Sequence, residues 1–397
     1  MNFALLGCDP DTLELAKAVA RSDEHRLVWA HDLGQFAPAI RAASPGVLIA
    51  EHWEGLLAGA TADVVIVSRS ADQEGRTEQL RKLAQAGTTM IVSHPVLDSM
   101  LVYYELDMIR QESRAVMLPY VPESSHPAWR RLAELAGDPA TGPLGVLEQI
   151  VIEHSFVTRG RSDVLHGFVR DMELVRPLAG AIDKVSAMTS AGVRSSPEAI
   201  NYGTLSVQMS GTSNVLVRWS VLAADAESSR FTLLGTRGRA VLDAVKTGPW
   251  QLEVRDGQTV TESFASGDAA AGLRQLVERL PNADAGLPDW IDACRTMELA
   301  DAVEHSLQRG RTIELFFETP SEQATFKGVM SGIGCLLLIA GLLVLVVATT
   351  AVHAGVPLAD YWPFLLLGVL VIFLVLQALR LVFPAESPPT DNTKRSP

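Results

Sequence analysis

Over the first 120 residues, short apolar runs alternate with segments whose apolar positions recur at helical spacing. Phe3 to Leu6 form one such run, ending at Gly7, after which Leu13, Ala16 and Ala20 fall on one helix face. The period changes from strand to helix at GCDPDT, which predicts a βα unit over residues 2–20. His25 to Ala30 reads as a second strand, Gly46 to Ala50 as a third, and Trp53 to Ala58 as a helical piece. Asp63 to Ser68 (DVVIVS) and Thr88 to Val92 read as strands buried on both faces, with a helix from Glu74 to Ala86 between them. Leu97 to Gln111 continues as a helix and Ala115 to Tyr120 as a strand.

This alternation predicts an α/β domain over residues 1–121, a Rossmann-like doubly wound parallel sheet with ligands at the carboxyl ends of its strands. In such a sheet the first turn carries glycines that let bare backbone approach a dinucleotide pyrophosphate at the helix N-terminus. Laid on G-x-G-x-x-G, the chain offers Gly7, Asp9 and Thr12. A carboxylate therefore stands where the phosphates come closest. At about 4 Å and an effective dielectric near 20, that repulsion is on the order of 4 kcal/mol unless the side chain turns away. Asp9 is also a good N-cap, Pro10 suits the first helical position and Asp11 favours the dipole, so the helix can satisfy its own N-terminus. Asp32 closes the second strand about 20 residues beyond the turn, where a ribose-binding acid is expected. Gly7, Asp9, Thr12 and Asp32 are thus the candidate contacts to NAD or NADP.

Composition narrows the classes. At 397 residues the chain is long enough for two domains with ample cores. Three cysteines, Cys8, Cys294 and Cys335, are far apart and lack metal spacing, which fits a reducing compartment. A formal charge of −13, with no basic run before the C-terminal end, argues against nucleic acid. No basic segment followed by a long apolar run opens the sequence, so no secretory signal is expected. No H-E-x-x-H, paired C-x-x-C, G-x-S-x-G or P-loop pattern occurs.

Towards the C-terminal end, Gly328 to Val352 and Tyr361 to Leu379 contain no charged residue. Each meets the requirement of roughly 20 apolar residues for a bilayer span, and the short HAGVPLAD between them predicts a transmembrane hairpin over residues 328–383. The loop has no Lys or Arg, whereas Arg309, Arg311 and Lys327 precede the first span and Arg380, Lys394 and Arg395 follow the second. That asymmetry puts both flanks on the cytoplasmic side of the cytoplasmic membrane. Residues 384–397 are polar and proline-rich and read as disordered.

AGTTMIVSHPV following DVVIVS resembles the Gfo/Idh/MocA oxidoreductase family, whose corresponding strand ends in Glu-Lys-Pro. This chain has Ser93, His94 and Pro95 there. HPAWRRLAEL (His126 to Leu135), GPLGVLEQIVIEHS (Gly142 to Ser155), FTLLGTRGRAVLD and WIDACRTMELADAVEHSLQRGRTIEL (Trp290 to Leu315) are similar to the family's crossing helix, opening strand, late hairpin, final helix and closing strand. Strands recur at Leu205 to Met209, Asn214 to Ser220, Arg230 to Gly235 and Ala240 to Leu242. The resemblance covers about the first 315 residues. It implies a second α+β domain over residues 122–318 with a large, mostly antiparallel sheet, through whose open face family members often associate as homo-oligomers.

The resemblance also implies an oxidoreductase acting on a sugar-like or cyclitol alcohol in the inter-domain cleft. Sugar-dehydrogenase members carry an Asp-x-Gly-x-His-x-x-Asp helix facing the alcohol. The stretch matching it here is HGFVRDMELVRPLAG, His166 to Gly180, which places His166, Phe168, Arg170 and Glu173 at the four motif positions. Alcohol oxidation needs a base near the hydroxyl and a donor for the developing oxyanion. His166 offers a base and Arg170 an anion clamp, with His94 facing them from the other domain. The alternative for His166, Arg170, Asp171 and Glu173 is a solvated helix face with i, i+3 charge pairing. His154, mid-strand, reads as a packed or edge residue. At the level of function, the alternative to an oxidoreductase with a rebuilt site is a non-catalytic protein on the same fold. It would bind a ligand or protein partner at the membrane.

Overall fold

The computed structural model describes residues 1–57, 62–190, 200–282 and 289–315, and Met1–Leu315 form one compact unit. The hairpin expected over 328–383 and the tail over 384–397 lie outside the described residues. Among the described residues no helix is long and apolar enough to cross a membrane.

The first sheet follows the predicted alternation. Its strands are β1 (Asn2–Leu6), β2 (Arg26–His31), β3 (Leu48–Ile49), β4 (Val64–Val67), β5 (Met90–Ser93) and β6 (Met117–Tyr120), with helices α1 (Pro10–Arg21), α2 (Ala37–Ala43), α3 (Gln73–Gln85) and α4 (Met100–Ser113) between them. They are ordered β3-β2-β1-β4-β5-β6 and every pair is parallel. β4, β5 and β6 are buried at every position, as expected of continuous apolar runs covered on both faces. The strand order reverses between β1 and β4, which opens a crevice above their carboxyl ends. The third strand is shorter than the apolar run suggests, and Trp53–Leu56 is a single 3-10 turn.

The second sheet has nine strands in the order β14-β13-β12-β11-β7-β10-β9-β8-β15. These are β7 (Leu147–Phe156), β8 (Ile182–Met188), β9 (Ser206–Gly211), β10 (Leu216–Ala223), β11 (Ser228–Gly235), β12 (Arg239–Val245), β13 (Trp250–Arg255), β14 (Thr259–Phe264) and β15 (Ile313–Glu314). All pairs are antiparallel except β7 with β10. One face is covered by α5 (Pro127–Ala136), α6 (Arg161–Ala179) and α8 (Trp290–Arg309). Along β7, Ile150, Ile152, His154 and Phe156 point to that face and are buried. α6 lies close enough that a Cβ on Gly167 would stand 2.6 Å from the ring of Phe156, so only glycine fits there.

α7 (Ala269–Arg279) follows β14 of the second sheet in sequence but packs on α1. Its Leu273 and Leu276, with Leu280 beyond it, share one core with Leu15, Ala16 and Val19. The sequence reading did not anticipate α7, β8, β13 or β14.

Candidate functional site at the crevice between the sheets

Gly7 has φ +76°, and a Cβ there would lie 2.4 Å from both Nη2 of Arg76 and Oγ of Ser68. The glycine is therefore required by the protein's own packing. Arg76, from the first turns of α3, is 1% exposed. Its Nη1 donates to the Leu6 carbonyl at 3.2 Å, its Nη2 lies 3.5 Å from Oδ2 of Asp32, and its Nε has no partner among the described residues. Burial pulls its pKa down to about 10, so it remains cationic at neutral pH.

The turn residues fold onto their own helix. Asp9 caps α1, with Oδ1 accepting from the Thr12 amide at 2.8 Å, while the Asp9 amide donates to Thr12 Oγ1 at 3.0 Å. Oδ2 of Asp9 accepts from the Arg69 amide at 3.2 Å. Both carboxylate oxygens thus point at donors rather than across the crevice, which removes much of the repulsion a phosphate would meet. Thr12 is fully buried, so it supports the turn from beneath and is no direct contact. Asp32, half-exposed at the end of β2, is open to a ribose. With Arg76 adding positive charge beneath the turn, these residues fit a dinucleotide.

Arg69, immediately beyond β4, reaches across to the second half of the chain. Its Nη1 donates to Nδ1 of His166 at 2.6 Å, and its Nη2 donates to Ser162 Oγ at 2.9 Å and to Asp98 at 3.2 Å. A guanidinium only donates, so Nδ1 of His166 is the acceptor and the ring proton sits on Nε2. Burial, with Arg170, Arg69 and His94 adding to it, holds the His166 pKa well below the usual imidazole range. The ring is neutral at pH 7 and borders a cavity of about 50 Å³ that Leu97, Leu165, Val169 and Met297 also line.

The other candidates have different surroundings. Arg170, 17% exposed, donates to Asp11 at 2.5 Å and to both oxygens of Glu123 at 2.5 and 2.7 Å. Burial would lower its pKa, but the two carboxylates raise it well above the ordinary arginine value. Expected as an anion clamp, it is already clamped: it ties α6 to α1 and to the 3-10 turn Pro122–Ser125. His94, expected to face a substrate, is 1% exposed. Its Nδ1 is 3.2 Å from Tyr103 Oη and its Nε2 is 3.0 Å from Thr296 Oγ1. Tyr103 Oη accepts from the Val96 amide at 2.8 Å, so its own proton goes to His94 Nδ1 and the imidazole donates to Thr296. Burial and then Arg170 lower the His94 pKa to about 3, so the ring stays neutral.

The solvated-face reading of α6 is overturned, because Asp171 and Glu173 are each 3% exposed. Asp171 accepts from Trp219 Nε1 at 2.8 Å and pairs with His154 Nδ1 at 2.7 Å. Burial would lower His154, but the charge of Asp171 outweighs it and raises the pKa to about 9. Ser229 Oγ lies 2.9 Å from the same Nδ1, so Ser229, His154 and Asp171 do not form a relay, which needs one partner on each ring nitrogen. Oε2 of Glu173 accepts from Thr296 at 3.0 Å, and burial raises that carboxyl to about 8. Among the described residues no group of three or more His, Cys, Asp or Glu could hold a metal.

Arg69 and Arg76 escaped the sequence reading. The one available signal was their position after DVVIVS, at the carboxyl end of a buried strand.

Solved structures share this architecture. A myo-inositol dehydrogenase from Corynebacterium glutamicum superposes with a TM-score of 0.61 at 19% identity, covering 80% of this chain and 99% of the other. An oxidoreductase from Agrobacterium radiobacter, in complex with NAD+, L-tartaric acid and magnesium, gives 0.64 at 14%, covering 79% and 98%. A variant of a 3-ketoreductase from Actinomadura kijaniata, in complex with TDP-benzene and NADP, gives 0.63 at 15%, covering 77% and 97%. No family model and no curated protein matches the sequence. The chain has the fold of the Gfo/Idh/MocA-type oxidoreductases, a Rossmann-like parallel sheet followed by a large mixed sheet.

Proposed function

We propose that this chain is an NAD- or NADP-dependent oxidoreductase of a sugar-like or cyclitol alcohol, with a catalytic site rebuilt around His166. The Arg69–His166 hydrogen bond carries this reading, because it joins the end of β4 to α6 across the crevice and fixes which ring nitrogen bears the proton. Gly7 and Asp9 form the turn beside the cofactor, Thr12 buttresses it, and Asp32 meets the ribose. When bound, the nicotinamide supplies or accepts hydride. His166 would then hold the substrate oxygen with its Nε2–H, a neutral imidazole polarising a carbonyl or the developing alkoxide rather than acting as a base, and the hydroxyl proton would pass to or from solvent water. Arg69 positions that ring. His94 and Arg170 hold the helix that carries it and do not touch substrate.

The same proposal includes attachment to the cytoplasmic membrane through two C-terminal helices, with the folded unit on the cytoplasmic side. It rests on the charge-free stretches Gly328 to Val352 and Tyr361 to Leu379. Association of copies through the second sheet belongs to the same expectation.

A second reading is favoured by Arg76, whose guanidinium lies on Gly7 and against Asp32. In that reading the crevice recognises a ligand or protein partner without catalysis. Calorimetric titration of the full chain with NADH and NADPH separates the two. Micromolar binding of either supports the oxidoreductase; no heat at millimolar cofactor, with the protein folded, supports recognition alone.

A further inference from the structure

One guanidinium holds two residues of α6. Nη1 of Arg69 donates to His166 Nδ1 at 2.6 Å, while Nη2 donates to Ser162 Oγ at 2.9 Å and to Asp98 Oδ1 at 3.2 Å. Nη2 carries two hydrogens, and these two acceptors use both. The Arg69 amide is fixed as well, on Oδ2 of Asp9. Because a guanidinium cannot accept, Ser162 receives the bond from Arg69, as His166 does, and keeps its own hydrogen. That hydroxyl hydrogen has no acceptor among the described residues.

Ser162 and His166 stand four residues apart in α6, on one helix face, and both border the cavity that Leu97, Val169 and Met297 line. Ser162 is exposed, so its hydroxyl is open to whatever enters. The remaining polar side chains of this wall already face a neighbour. Asp98 receives Arg69, Glu304 takes both ends of the Arg161 fork and the Tyr202 hydroxyl, and Asp301 lies 3.0 Å from His305.

Residues at this spacing carry their donors on Cβ atoms about 5–6 Å apart. A single substrate oxygen would need to lie within about 3 Å of both donors at once. Two oxygens on adjacent carbons, each taking one donor, suit the spacing better.

We propose that Ser162 is a substrate-binding residue that reads the oxygen next to the reacting one. The crevice then takes a vicinal oxygen pair, a 2-hydroxy ketone in one direction and a 1,2-diol in the other. His166 holds the reacting oxygen through Nε2–H and the Ser162 hydroxyl donates to its neighbour, with Arg69 setting both. This role rests on the oxidoreductase reading of the same crevice.

The test compares 2-hydroxycyclohexanone with cyclohexanone on the full chain in detergent, by reduction with NADH or NADPH and, separately, by ligand-observed NMR binding without cofactor. The unaltered chain should favour the hydroxyketone at least about tenfold, the scale of one hydrogen bond to a substrate oxygen. Ser162→Ala should lose that preference, falling about tenfold on the hydroxyketone and staying within about twofold on cyclohexanone. Ser162→Thr keeps a hydroxyl and should retain it. An equal fall on both probes overturns the proposal, because Ser162 would then act only by steadying Arg69. So does a preference that survives Ser162→Ala, or its absence from the unaltered chain. If the preference shows in binding and is lost in Ser162→Ala, with turnover of neither probe, the assignment of Ser162 stands and the oxidoreductase reading falls. Binding of neither probe at about 50 mM overturns both.

Discussion

Nδ1 of His166 stands 2.6 Å from Nη1 of Arg69, although 97 residues separate the two in sequence. The contact makes Arg69 a positioning residue. Removing the guanidinium in Arg69→Met frees the ring to change tautomer and takes away a positive neighbour, so the His166 pKa should rise; NMR titration of the ring reads it. Turnover of a sugar alcohol should fall at least about a hundredfold in His166→Ala, the usual scale for losing one donor to the oxygen on which charge develops. It should fall by less in Arg69→Met. An unchanged rate in His166→Ala would remove the imidazole from the chemistry.

Glu173 ties stability to pH. Its pKa is raised from 4.5 unfolded to about 8 folded. Between those values the folded chain holds a proton that the unfolded chain has lost, so stability falls as pH rises and the loss is complete just above pH 8. Urea midpoints measured at pH 5 and pH 8 should differ, and the Glu173→Gln variant should show a flatter dependence. An equal slope in both proteins would assign the effect elsewhere.

Arg170→Met leaves Asp11 and Glu123 side by side without their cation. Losing one partner of a fully buried pair costs roughly 3–5 kcal/mol; here the carboxylates are about 30% exposed, so a loss of about 2 kcal/mol is expected. Adding Glu123→Gln to Arg170→Met should recover part of it, because the two sites share one network. Full additivity in denaturant unfolding would contradict the pairing.

The proposed membrane attachment has its own test. A reporter active only outside the cytoplasm, fused near Gly355, should give signal, and the same reporter after Pro397 should not. The reverse pattern would invert the orientation, and silence at both would remove the hairpin.

What the sequence revealed was local. The change of period at GCDPDT, the apolar run DVVIVS and the cap at Asp9 each depend on residues within a few positions of one another, and each is in the structure. Arg69 and Arg76 were invisible for the opposite reason, since their partners Ser162, His166 and Asp32 lie 93, 97 and 44 residues away. The charges on α6 misled in a related way. His166, Arg170, Asp171 and Glu173 look like a wet surface when read along one helix. In the fold each meets a partner on another element, and burial holds His166 and Glu173 neutral, so the helix can be buried.

The packing of α7 on α1 also orders events in time. As the chain leaves the ribosome, residues 1–121 emerge with all six strands of the first sheet, yet the outer side of α1 has nothing to rest on. Leu273, Leu276 and Leu280 arrive only after eight of the nine strands of the second sheet have been made, β15 alone coming later. Part of the cover of the first sheet is therefore supplied by a helix translated some 150 residues after that sheet is complete.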